Sequence, residues 1–194
     1  MKNKGLLIGL GVLVLVFFWG CNSYNGMSKA SLDVKNSWAK VQSAYQQRAD
    51  LIPNLVETVK GAADFEKSTL VELTNARARA TSINIDPANV TPEQMAQFQA
   101  AQSQISTGIG RLLAVVENYP ALRATENFKE LQSQLEGQEN RIRTERNNFN
   151  DAVNVYNKRI ITFPSNLIAG MFKFSEKPGF AADAGSDKSP KVKF

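Results

Sequence analysis

The 194-residue chain has no histidine and one cysteine, Cys21. Those scarcities exclude histidine-based acid–base catalysis, Cys–His nucleophiles and Cys/His metal centres. No glycine-rich phosphate loop and no β-hairpin turn signal can be found along the chain, so neither a nucleotide cradle nor a sheet is expected. An excess of one charge sign is also missing. The net charge of +5 includes Lys2 and Lys4 ahead of an apolar run, and the remaining body is nearly balanced. Its lysines and arginines alternate with aspartates and glutamates, the pattern of solvated helix faces and not of a nucleic-acid footprint. With 21% charged and 43% hydrophobic residues, the bulk reads as an ordinary globular domain.

What is present begins with residues 5–20, GLLIGLGVLVLVFFWG, uncharged and almost wholly apolar. The run sits between the length of a signal-peptide core and that of a spanning helix, so both readings stand. Gly20-Cys21-Asn22-Ser23 is similar to the lipidation site of bacterial lipoproteins, which makes Cys21 a candidate for lipidation. Phe18 and Trp19 depart from that pattern and favour an uncleaved single-pass anchor. Lys2 and Lys4 flank one side closely, whereas the first positive charge beyond is Lys29, so the positive-inside rule puts the body outside the cytoplasm.

Beyond the anchor the chain reads as long amphipathic helices. Val34, Trp38, Val41, Tyr45, Arg48, Ile52, Leu55, Val59 and Ala62 recur at alternating spacings of three and four, a coiled-coil-like seam for a first helix from about Met27 to Gly61. Pro53 lies inside it and removes one amide donor. Asp64 is the expected cap of a second helix with Phe65, Leu70, Leu73, Ala76, Ala80 and Ile83 inward. Residues 84–92 hold two prolines and read as a loop. Thr91, Pro92 and Gln94 form a helix-start signal, with Thr as cap, Pro at the first position and Gln reaching back. The third helix carries Met95, Phe98, Ile105, Ile109, Leu112, Val116 and Tyr119 on one stripe. Thr125 opens a fourth, running to about Phe163, with Phe128, Leu131, Leu135, Ile142, Phe149, Tyr156, Ile160 and Phe163 inward. The fold class is therefore all-α, an up-and-down bundle of long antiparallel helices after an N-terminal membrane anchor. The expected divisions are residues 1–21 as anchor or lipoprotein-type signal, 22–174 as the bundle and 175–194 as a flexible tail.

Arg48 places a guanidinium where the seam calls for a hydrophobe. In an antiparallel arrangement it faces residue ~140, so a buried polar pair with Glu139 is expected, with Glu145 one or two turns away. The asparagines following aromatics, at Asn25, Asn150 and Asn157, are expected to solvate the flanks of core rings. The apolar segment 160–174 ends where the last helix returns toward the bilayer. Phe163, Leu167, Ile168, Met171, Phe172 and Phe174 are therefore candidates for contact with the membrane surface, with Lys173 and Lys177 near headgroups; closing the base of the bundle is the competing role.

The blocks RADLIPNLVETVKG at 48–61, RLLAVVENYPALRATENFKELQSQLEG at 111–137, ENRI at 139–142 and VYNKRIITFPSNLIAGMF at 155–172 resemble the LemA family of bacterial membrane-anchored helical-bundle proteins. The resemblance covers most of the chain after residue 20. It implies an anchored bundle without cofactor or established catalytic activity, and the family offers no active site to carry over. The expected function is a non-enzymatic, membrane-tethered interaction or scaffold protein of the bacterial cell envelope. Its expected partners are the membrane and unidentified proteins, with no nucleic acid and with homo-oligomers allowed. A self-assembling structural envelope protein and a carboxylate-based hydrolase are the alternatives. The latter needs two inward carboxylates about 5 to 10 Å apart in an open cleft.

Overall fold

The apolar stripes sort the chain into α1 (Lys2–Lys60), α2 (Lys67–Ser82), α3 (Pro92–Val116), the short α4 (Pro120–Arg123), α5 (Glu126–Ile161) and α6 (Ser165–Met171). The structure is a computed structural model that describes residues 2–61 and 67–182, with no strand among them. The expected inward positions Ala62 and Phe65 and the expected cap Asp64 lie outside the described residues.

Helices α1 and α5 form the long antiparallel pair. Gly26 lies beside Arg159, Trp38 against Phe149 and Gln47 against Arg141, so numbering rises along one helix as it falls along the other. Helices α2 and α3 make a second antiparallel hairpin, tied by Arg111 to Glu72 at 2.7 Å. Gly108 allows its close approach: a Cβ there would stand 3.1 Å from the Leu73 side chain. The capping box at Thr91 and Gln94 forms with both bonds in place, and Pro92 is the first helical residue. Thr125 occupies the cap position of α5, but its hydroxyl donates to the Leu122 carbonyl at 2.7 Å and caps nothing.

The expected start of the first helix near Met27 is corrected. Helix α1 is continuous for 59 residues, so the apolar run and the first bundle helix are one element. Nothing from Cys21 to Gly26 forces a break: there is no proline, and one interior glycine costs only about 1 kcal/mol. The half before residue 20 leaves Leu7 through Phe18 exposed, whereas Met27, Ala30, Val34, Trp38, Val41 and Tyr45 are buried.

Pro53 does not end the helix either. Lacking an N–H, it leaves the Ala49 carbonyl without its intrahelical donor. Arg77 of α2 fills that vacancy, its Nε donating to the Ala49 oxygen at 2.8 Å. We expect Arg77→Met to cost about 1 to 2 kcal/mol in chemical denaturation. The loss should shrink markedly in a Pro53→Ala background, where the restored backbone N–H at position 53 can donate to the same oxygen; equal losses in both backgrounds would contradict the arrangement.

Candidate functional site

Two apolar clusters fill the bundle. One gathers Met27 to Tyr45 of α1 with Met95 and Phe98 of α3 and Ile142 to Ile160 of α5. The other gathers Ile52 to Val59 with Ala101 to Val116 and with Phe128 and Leu135. Arg48, Gln102 and Glu139 occupy the boundary on all three helices. Arg48 is 1% exposed. Its Nη1 donates to Glu139 Oε1 at 2.5 Å and to Ser106 Oγ at 2.8 Å, and its Nη2 donates to the Gln102 side-chain oxygen at 2.8 Å and backbone oxygen at 3.1 Å. The guanidinium carbon also lies 5.2 Å from the centre of the Tyr45 ring. Only Nε of this side chain lacks a partner.

The Glu139 side chain is 42% exposed and opens into a cleft of about 410 Å³ beside Gln99, Ser103 and Arg146. Glu145, expected near this pair, is not brought to Arg48; its carboxylate accepts from Asn148 Nδ2 at 3.1 Å. The reason is helical phase: six residues beyond Glu139 the side chain has turned away from the seam. Gln102 and Ser106 were missed, because a glutamine and a serine in an α3 stripe look like interruptions until the arginine opposite is known.

The chain after α6 corrects another expectation. Residues 172–182, read in part as free tail, lie along α5 as a strap. Phe180 is buried against Trp38, Phe98 and Phe149, with ring centroids 5.9, 6.4 and 5.5 Å away. Two asparagines expected to meet solvent hold the strap instead. Asn150 accepts from the Phe180 N–H at 2.8 Å and donates to its carbonyl at 3.2 Å, and Asn157 makes the same pair with Lys177, both bonds at 2.9 Å. Each amide thus imitates a strand neighbour at one residue of the strap. Lys177, expected near headgroups, is buried, and its ammonium donates to the carbonyls of Pro87 and Ala88, both at 2.9 Å. Burial pulls its pKa below the ordinary lysine value, against the opposing pull of Asp86. Residues 183–194 lie outside the described residues.

Helix α6 packs where α1 passes from its exposed to its buried half. Ser23 Oγ donates to Ser165 Oγ at 3.1 Å, and the Tyr24 ring lies 4.7 Å from Phe172 and 5.6 Å from Phe174. The six apolar residues proposed for the membrane surface divide: Ile168 and Phe174 pack on the core, whereas Phe163, Leu167, Met171 and Phe172 are exposed. Cys21 is exposed as a free thiol one residue from Gly20 on α1.

An apolar helix long enough to cross a bilayer, continuous with an antiparallel bundle, is the build of a membrane-associated helical protein. A family model described as the LemA family matches residues 37–194, and the chain belongs to that family. It is 23% identical over 163 residues to protein LemA of Metamycoplasma hominis, covering 84% of this chain and 69% of that protein. It is 27% identical over 178 residues to magnetosome protein MamQ 2 of Paramagnetospirillum magneticum, covering 80% of this chain and 65% of the relative. Magnetosome protein MamQ of Magnetospirillum gryphiswaldense is 25% identical over 198 residues, at 89% and 73% coverage. The chain thus spans from 65% to 73% of the length of these relatives.

Proposed function

We propose that the protein is a non-enzymatic scaffold or interaction protein of the bacterial cell envelope, held to the membrane by the first third of α1 and presenting its bundle to protein partners outside the cytoplasm. The observation that carries this reading is the continuity of α1: with no linker between span and bundle, the protein fixes the bundle's position and orientation relative to the bilayer. A tethered enzyme needs no such rigidity. The carboxylates are occupied in ways that weigh against a hydrolase, since Glu139 is neutralised by Arg48 and Glu145 holds Asn148. The names of the relatives, LemA and magnetosome protein MamQ, denote no reaction.

Site-specific photocrosslinking in intact cells tests the reading. A crosslinker at Val71 on α2 or Val155 on α5, both exposed, should give a discrete adduct with one other envelope protein. Adducts of the dimer mass alone would favour the self-assembling structural protein instead. Labelling of Val155→Cys by a membrane-impermeant maleimide in spheroplasts, in a Cys21→Ser background, is expected for an extracytoplasmic body. Labelling only after lysis would place the body inside.

A further inference from the structure

Helix α1 is long enough to cross a bilayer, but its wholly apolar run falls short of the full crossing. Its 16 residues, 5–20, rise about 24 Å at 1.5 Å per residue. The hydrocarbon core is about 30 Å thick, so roughly four more residues are needed, which brings the boundary to about Tyr24. Helix α6 stands at that level. Ile168 reaches Gly20, its Cδ1 3.6 Å from where a Cβ on Gly20 would be, Ser165 meets Ser23, and Phe172 meets Tyr24.

The outward side of this turn is apolar and uncovered. Phe163 is 76% exposed, Met171 74%, Leu167 58% and Phe172 56%. Leu167 and Met171 are four residues apart and share one face of α6, opposite the inward Ala169. The exposed surface is continuous with the exposed apolar half of α1, because Tyr24 and Phe172 touch across the junction. Immediately above it the charge is mainly basic: Lys158 and Arg159 occupy the last turn of α5, Arg159 reaches α1 at Gly26, and Lys29 follows one turn on. Lys173 adds a further positive charge from a left-handed backbone, φ 57°, which closes the end of α6. Its neighbours complete that closure, with the Phe174 N–H donating to the Ala169 carbonyl at 2.9 Å.

The geometry points to α6 and its flanks as a second membrane contact: Phe163, Leu167, Met171 and Phe172 enter the acyl–headgroup boundary of the bilayer that α1 crosses, and Lys158, Arg159 and Lys173 meet its anionic headgroups. This contact would supply the apolar depth that the short run of α1 lacks and would set the bundle at one height and rotation about the span. It rests on the membrane anchoring of α1 proposed above. The occupant is lipid and not a second protein because the patch lies at the boundary level of the same bilayer, beneath a basic rim.

Electron paramagnetic resonance on the full chain in phosphatidylcholine–phosphatidylglycerol vesicles tests it. Single spin labels are placed at Leu167→Cys, Met171→Cys, Leu13→Cys and Val71→Cys in a Cys21→Ser background, and their accessibility to oxygen and to a water-soluble nickel chelate is compared. The expected result is oxygen-dominated relaxation at Leu13, Leu167 and Met171 and chelate-dominated relaxation at Val71. Replacing phosphatidylglycerol by phosphatidylcholine should raise chelate accessibility at Met171 by severalfold and leave Leu13 unchanged. Chelate-dominated labels at 167 and 171 with an oxygen-dominated Leu13 would overturn the second contact while keeping the anchor. A chelate-dominated Leu13 would remove the anchor and this contact with it. Labels at 167 and 171 shielded from both reagents would show protein covering the patch and would likewise overturn the lipid assignment.

Discussion

Arg48→Ala should lower the stability of the full chain by about 3 kcal/mol, measured by urea denaturation in detergent with far-ultraviolet circular dichroism. The substitution empties a buried side-chain volume and removes four hydrogen bonds to Glu139, Ser106 and Gln102. Glu139 is half open to water and can be rehydrated, so the orphaned Gln102 oxygen and the cavity carry most of the loss. Glu139→Gln alone should therefore cost less than about 1 kcal/mol. Replacing Arg48 by Met together with Gln102 by Leu should recover most of the deficit, because apolar groups of similar size rejoin the two clusters. If the combined change is merely the sum of two losses, the polar layer is not the unit described. The layer also fixes alignment: sliding α1 by one turn against α3 and α5 would bury the guanidinium in one of the apolar clusters without its acceptors, a state far costlier than a misplaced leucine.

Phe180→Ala should cost about 3 kcal/mol, the loss typical of a phenylalanine truncated within a core, although it lies in a segment without secondary structure. Its ring completes the aromatic cluster around Trp38, packed against Trp38, Phe98 and Phe149. Gly179→Ala should act through the other half of the attachment. A Cβ there would come within 2.8 Å of Asn150 Oδ1, the atom that accepts from the Phe180 N–H, so the clamp must open or the strap must shift. Limited proteolysis should then cut both variants within the strap much faster than the parent chain. Cleavage at the parental rate in Phe180→Ala would show that the strap is held by the asparagines alone.

Periodicity carried the bundle because each long helix offers many repeats of the same decision. The α1 positions from Val34 to Val59 were legible as one seam, and Arg48 was conspicuous for breaking it. Antiparallel counting then reached Glu139, since a rigid rise per residue links distant positions once two ends are matched. The box at Thr91 and Gln94 was legible because its chemistry is local. The clamps at Asn150 and Asn157 were not: an amide beside a core ring resembles any solvated flank until a segment 20 to 30 residues later arrives to be held. Phe180 was hidden for a similar reason, an isolated aromatic among glycine, proline and lysine with no period to assign it a face. Ile85, buried from within a loop, shared that fate. The continuity of α1 escaped because the change from an exposed apolar half to a half buried in the bundle alters composition without altering the backbone.

Anchored as proposed, with one end in a fluid film and the other packed in the bundle, the 59-residue α1 would be a lever. The arm from Tyr24 to Lys60 is about 55 Å long, and a tilt of about 10° at the film would swing its tip by roughly 10 Å. A greasy stretch longer than the film is thick tilts to fit it, whereas a shorter one such as residues 5–20 thins the film around it or draws flanking residues inward. Under the anchoring proposed above, the far end, where α4 joins α3 to α5, would sweep laterally with any such tilt, so a small angle at the film becomes a displacement a neighbouring protein can feel.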